Sequence, residues 1–429
     1  MRIAIKGCKI FDRGDSKFDI IIEEDRIKQI LPSVGANYSG FTEIEAGGLV
    51  ALPGLFDIHC HLREPGYEYK EGIESGTKAA ARGGFTSVAC MSNTMPPADT
   101  ASVIRYIIER AGQYGYCKVY PIACITKGQK GEELAEFGDL KEAGAVAFSD
   151  DGLPVENPLI MRNALLYAKS HGALIISHCE DKRLSDDGCA NEGYNATIAG
   201  IKGIPAAAEE VMVARDVILA ASLNARLHIA HVSTKGSVEI IRQAKKNGVK
   251  VTCETCPHYF AADDSLILDY NANAKVNPPL RGREDVEAVI EGIKDGTIDA
   301  IATDHAPHHA DDKNVEFCNA ANGISGLETA LSLSYTHLVK AGHIALSRLA
   351  QLMSAAPARI LGLEPRELSD GRRADIALVD FESSFVIDSS QFLSKGKNTP
   401  FNGQKVYGAV ACTINEGRIV YQDIMCQGR

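Results

Sequence analysis

"LVALPGLFDIHCHLREPG" (Leu49 to Gly66) begins as an apolar run and ends in chemistry. His59 and His61 close the run, and Arg63 follows two residues later. Residues i and i+2 of a strand share a face, so the two histidines point the same way. Asp57 has the same parity one step deeper, where it would orient a ligating histidine from behind. Alone, such a pair is as often a polar strand end as a metal site. The rest of the chain has to decide.

Seven more apolar runs follow: "FTSVACM", "KVYPIACI", "AVAFSD", "ALIISHC", "RLHIAHVS", "KVTCETCPH" and "DAIATDHA". Helix-like stretches lie between them, including 71–84, 158–172, 205–224, 237–248 and 283–296, several of which end in glycine. Strands alternating with helices imply a parallel sheet, and eight of them predict a (β/α)8 TIM barrel with insertions. The alternative, a doubly wound open sheet, would carry GxGxxG after its first strand, and none is there.

The two ends of the chain read as short strands: "RIAIKGCKIF", "FDIIIEED" and "RIKQILP" first, "ADIALVDFE", "GAVACTIN" and "RIVYQ" last. Neither set is enough for a stable sandwich, so the termini are expected to combine. The expected division is a small β-sandwich domain from 1–52 plus 358–429 and a barrel domain from 53–357.

Composition narrows the function. The balance of 45 basic against 56 acidic residues, net −11, argues against a nucleic-acid partner. No run of 18 apolar residues suggests a membrane span, and the first residues lack the apolar core of an export signal. Twelve irregularly spaced cysteines read as buried thiols of a cytoplasmic protein. Cys253-x-x-Cys256 has no second such pair, which argues against a structural zinc site.

Barrel enzymes work at the C-terminal ends of their strands. There this sequence places His59 and His61, then Asn93, Asp150 and Asp151, His178, His231, His258, and Asp304 with His305 and His308. Singly, His178 or His231 would be a satisfied rim histidine and Asp304 a helix cap. Together, four histidines (59, 61, 178 and 231) and two carboxylates exceed one tetrahedral zinc and suit two ions sharing a bridge. Parity does not separate Asp150 from Asp151, because the strand is ending. His228, three residues before His231, is expected to face away as a structural residue. His171, His337 and His343 read as surface residues, and His258 stays open.

"DIHCHLREPG" (57–66) together with "ATDHAPHHADDK" (302–313) resembles the paired signatures of dihydroorotases in the amidohydrolase superfamily. "NPPLR" (277–281), "GISGLET" (323–329) and "GRRADIALVD" (371–380) agree, so the resemblance covers nearly the whole chain. It implies a metal-bearing barrel with a β-sandwich built from both termini. It also implies His59, His61, His178, His231 and Asp304 as ligands of zinc, two ions per subunit. Hydantoinases, dihydropyrimidinases, allantoinases and one class of dihydroorotase carry a carboxylated lysine on the fourth strand. "AFSDDG" (147–152) has none, so the resemblance is to the class with an aspartate there, and it selects Asp151.

The same resemblance gives Arg63, Asn93 and His308 to the substrate carboxylate and Asn277 to the ring edge, beside backbone at 321–323. Ala321 stands where the family pattern has proline. The implied activity is reversible cyclisation of N-carbamoyl-L-aspartate to (S)-dihydroorotate in pyrimidine (UMP) biosynthesis. Hydroxide activated by the metal would attack a ring amide, with Asp304 as general base and then acid. Implied partners are the small-molecule substrate, a second copy in a homodimer, and aspartate carbamoyltransferase. Residues 308–323 form a long polar stretch without periodicity, expected to be a lid, in which Lys313 has no assigned role. Two rivals stay in view. Another cyclic amidase would not need Arg63, and a non-catalytic relative would be expected to lose ligands.

Overall fold

The eight apolar runs become eight parallel strands in a computed structural model that describes residues 2–423. In order they are Leu55–Cys60, Phe85–Cys90, Lys118–Ala123, Ala147–Phe148, Ile175–Ser177, Leu227–Ile229, Val251–Thr255 and Ala300–Ile301. Each pairs with its neighbours in chain order, as successive β-α-β units require. Phe56, Ile58, Ala89, Ile122, Ile176 and Ala300 pack together inside the ring they form. A second core, with Leu55, Phe85, Val88, Ile104, Val213 and Ile241, lies between strands and helices.

All five anticipated helices are present, at Ile73–Arg82, Pro158–Ser170, Ala207–Leu223, Lys235–Lys246 and Arg283–Asp295. Ala101–Tyr114 and Phe137–Glu142 follow the second and third strands. None of the described helices is long and apolar enough to cross a membrane.

The first and eighth strands close the ring by few bonds. His61 N–H donates to the His305 carbonyl at 2.8 Å, beside a bridge from Cys60 to His305. Asp57 stitches the same seam. Its carboxylate accepts from Thr303 N–H at 2.9 Å, from the Thr303 hydroxyl at 2.5 Å and from His59 N–H at 3.2 Å. The pairing of the first strand is irregular between Asp57 and Cys60. That offset breaks the simple parity rule, so Asp57 faces the eighth strand and does not touch a histidine ring.

The terminal strands are hydrogen-bonded into one continuous eight-stranded mixed sheet. Arg2–Ile10 pairs with Thr42–Glu45 along its first half and with Val50–Pro53 along its second. An irregularity between Ile5 and Cys8, at Gly7 with φ 70°, separates the halves. Ile376–Val386 connects the sheet to the barrel by simple alternation. Ile376 and Leu378 enter the core of the terminal sheet, while Ala377, Val379 and Phe381 pack against the barrel helices. The chain passes from sheet to barrel at Gly54, where a Cβ would lie 2.3 Å from Thr86 Oγ1.

The stretch 308–323, expected as a lid, is docked. Lys313 is buried, and its ammonium donates to the Ala272 and Lys275 carbonyls, each at 3.1 Å. Phe317 enters a small core with Ala190, Ile201 and Ile267. These two anchors give Lys313 a place that its polarity alone did not disclose.

Two stability predictions follow from these contacts. Asp57→Ala strands buried donors of Thr303 and His59, each costing roughly 1–3 kcal/mol. We expect it to lower stability by about 3 kcal/mol in urea unfolding, and a loss below about 1 kcal/mol would contradict the seam's dependence on Asp57. Burial, with Lys275 nearby, pushes the Lys313 ammonium down to about 7. Protonation therefore costs stability in the folded state, and this cost is relieved as pH rises from about 7 towards about 10.4. The melting temperature of the wild type relative to Lys313→Met should climb across that window, and a flat difference would refute the assignment.

Candidate metal centre and substrate rim

The strand ends bring one carboxylate among four imidazoles. Asp151 Oδ1 lies 3.4 Å from His59 Nε2, 3.3 Å from His231 Nε2 and 3.6 Å from His178 Nδ1. Its other oxygen lies 3.4 Å from His61 Nε2. Asp304 Oδ1 completes the group, 3.2 Å from His61 Nε2 and 3.5 Å from His59 Nε2. All six residues are buried.

Two sets of ligand atoms, His59–His61–Asp151 and Asp151–His178–His231, each lie within 4.8 Å of one another. Asp151 belongs to both. His59 Nε2 and Asp151 Oδ1 are buried and have no hydrogen-bond partner. Buried polar atoms left unpaired are costly, and a cation seated among them removes that cost. The donor set of imidazole and carboxylate fits a divalent metal. Burial pushes Asp151 up, but the His59, His178 and His231 rings outweigh it and hold the carboxyl well below the usual range.

Asp150 goes elsewhere. It accepts from Ile125 N–H at 2.8 Å, from Thr126 N–H at 3.1 Å and from the Thr126 hydroxyl. It anchors the loop after the third strand, while its neighbour turns into the centre. His231 and Asp304 sit at φ 35° and 44°, a region non-glycine residues seldom adopt. Such local strain is tolerated where surrounding structure fixes a side chain in a required direction.

A supporting layer holds the rings. His59 Nδ1 donates to Glu254 Oε1 at 2.7 Å, and the other oxygen of Glu254 lies 3.2 Å from His228 Nε2. His228, expected to face away, is therefore two hydrogen bonds from a candidate ligand. The three-residue spacing from His231 did set them apart, but His228 turns inward at a deeper level. His61 Nδ1 meets Asn93 Oδ1 at 2.8 Å, so the Asn93 side chain orients a ligand as well as lining the rim. His178 Nε2 lies 3.1 Å from Glu180 Oε2, which also accepts from Lys182 Nζ at 2.6 Å and Asn277 Nδ2 at 2.9 Å.

Glu254 and Glu180 were not anticipated from the sequence. The available signal for Glu254 was an acid inside an otherwise apolar strand, since buried carboxylates need partners. His258 is buried beside the cluster with its Nε2 unpaired, and burial pushes its ring down to about 4.

The rim of the cluster holds positive charge. Glu64, the neighbour of Arg63, is taken by Arg110 at 2.8 Å and by the Tyr106 hydroxyl at 2.9 Å. Among the described residues Arg63 has no carboxylate partner: Nε donates to the Pro307 carbonyl at 3.3 Å, and Nη2 lies 3.4 Å from the His308 ring. His308 Nε2–H donates to the Asn322 carbonyl at 2.8 Å, and Lys70 Nζ reaches its Nδ1 at 3.3 Å. Burial, then Arg63, Lys70 and Lys313, push His308 down to about 3, so the ring is neutral at ordinary pH. Arg63, Asn93 and His308 thus gather on one side of the cluster and Asn277 on another, next to Glu180.

Comparisons with known proteins place the chain in a family. Residues 48–237 match the family model described as "Dihydro-orotase-like". The chain is 56% identical over 422 residues to a dihydroorotase of Acetivibrio thermocellus, covering 98% of this chain and 99% of that one. It is 53% identical over 426 residues to a dihydroorotase of Syntrophus aciditrophicus, covering 99% and 100%. Among solved structures it is similar to an L-hydantoinase (dihydropyrimidinase) from Arthrobacter aurescens. That likeness has a TM-score of 0.87 and 26% identity, over 98% of this chain and 96% of that one. A dihydropyrimidinase from Brevibacillus agri shares the fold at a TM-score of 0.85 and 23% identity, over 98% and 95%. Relatives more than half identical over the full length leave one conclusion: the chain belongs to the dihydroorotase family.

Proposed function

We propose that this enzyme closes N-carbamoyl-L-aspartate reversibly to (S)-dihydroorotate, a step of UMP synthesis, with two zinc ions held by His59, His61, Asp151, His178, His231 and Asp304. The observation that carries the reading is a ligand cluster centred on Asp151 with Arg63, which has no carboxylate partner among the described residues, at its rim. Bound zinc would supply a Lewis acid and an activated water at neutral pH.

The chain's own residues do the rest. The forked donors of Arg63 match a carboxylate, and a substrate carboxylate would supply the counter-ion that Arg63 lacks. Asn93 Nδ2 and His308 flank it, and Asn277 faces the ring edge. Burial pushes Asp304 up, but His61, His59 and His231 hold it well below the usual carboxylate range, so it is ionised and ready to accept a proton. In ring opening the amide C–N bond breaks as a C–O bond forms from water. Asp304 takes the proton of that water and returns it to the leaving ring nitrogen. Ring closure runs the same path backwards.

The free thiols of the described cysteines support a cytoplasmic setting. A homodimer and association with aspartate carbamoyltransferase rest on family resemblance.

The test is a panel of dihydroorotate, allantoin, hydantoin and dihydrouracil on zinc-loaded protein. Turnover of dihydroorotate is expected, and activity confined to the uncharged rings would refute the assignment. Arg63→Met should raise KM for dihydroorotate roughly 10- to 100-fold, the worth of a charged hydrogen-bond pair. Asp304→Asn should lower kcat roughly 100- to 10,000-fold. Near-normal turnover in that variant would remove Asp304 from its role.

A further inference from the structure

His59 leans on a carboxylate that no cation shares. Glu254 is buried, and among the described residues its partners are His59 and His228, with no lysine or arginine. Glu180, behind His178, is by contrast already paired with Lys182 at 2.6 Å.

Behind Glu254 the contacts continue. His228 Nδ1 lies 2.8 Å from Thr252 Oγ1. Thr252 and Glu254 are two residues apart on the seventh barrel strand and share a face, and His228 sits opposite Thr252 on the sixth. One assignment uses every nitrogen once. The Thr252 hydroxyl donates to His228 Nδ1, and His228 Nε2–H donates to Glu254 Oε2. Glu254 Oε1 accepts His59 Nδ1–H, which leaves the lone pair of His59 Nε2 facing Asp151 and Asp304.

We infer that Glu254 is a positioning residue for the metal ligand His59, and that His228 and Thr252 lock its orientation through the barrel interior. The inference rests on the metal-binding reading above. A carboxylate behind a ligating imidazole fixes its tautomer and raises its basicity, and removing such a partner typically costs about 10- to 100-fold in metal affinity. Nothing in this role requires Glu254 to touch substrate.

Zinc affinity, measured by competition with a chromophoric chelator, separates the possibilities, with the visible spectrum of the cobalt-loaded protein as a second readout. Glu254→Leu keeps the bulk and removes the acceptor, so zinc should bind roughly 10- to 100-fold more weakly and the cobalt bands should shift. Glu254→Gln keeps an acceptor oxygen for His59 and should recover most of that affinity. Should the leucine variant not fold, the glutamine variant still decides. It must differ from wild type in its cobalt spectrum, because the charge behind His59 is gone. Wild-type affinity and spectrum in both variants, or in the glutamine variant if it alone folds, would overturn the inference while leaving the metal reading intact. A wild-type protein that binds no zinc would instead sink the metal reading, and this inference with it.

Discussion

A single unmodified carboxylate, that of Asp151, stands between two pairs of histidines, and the rest of the site is arranged around it. The first strand supplies His59 and His61, and the fifth and sixth supply His178 and His231. Asp151 is a carboxylate that all four rings approach. An aspartate side chain is short, so the backbone after the fourth strand must come close to the barrel axis. That strand is only Ala147–Phe148, and the chain leaves it at once. Asp150 holds the turn down through Thr126 and Ile125, and Asp151 is thereby presented to the centre.

Around the cluster, three of the four candidate histidine ligands are braced by side chains of different kinds. Glu254 braces His59, Asn93 braces His61, and Glu180 braces His178. Asp57 joins the strand that carries the first pair of histidines to the strand that leads into Asp304. The seam that closes the barrel therefore ends at Thr303, one residue before the proposed base. At the rim, Glu64 is absorbed by Arg110, which leaves Arg63 for a ligand. Fold and the proposed selectivity meet within the ten residues from Asp57 to Gly66.

Much of this was legible in the chain because barrel strands are apolar runs whose last residues carry the chemistry. All eight runs and the gathering of ligand-type side chains at one rim follow from that pattern, and the short terminal strands announced that the two ends combine, although as a sandwich and not as the one continuous sheet they form. What escaped depends on geometry that a regular strand does not predict. The offset between Asp57 and Cys60 turned Asp57 from a histidine to Thr303. The three-residue step from His228 to His231 separated the two but hid the fact that the deeper one contacts the site through Glu254. Lys313 read as part of a polar lid, whereas its ammonium pins that stretch to the carbonyls at 272 and 275. In each case the deciding partner lies far away in sequence and on another strand or loop.

We propose that Asp151, without any modified lysine, lies between two metal positions. Diffraction from zinc-soaked crystals at the zinc absorption edge tests it most directly. Two anomalous peaks per chain are expected, one on each side of the Asp151 carboxylate, the first contacting His59 and His61 and the second His178 and His231. Two peaks that both lie out of reach of Asp151, or zinc bound only by other residues, would contradict it.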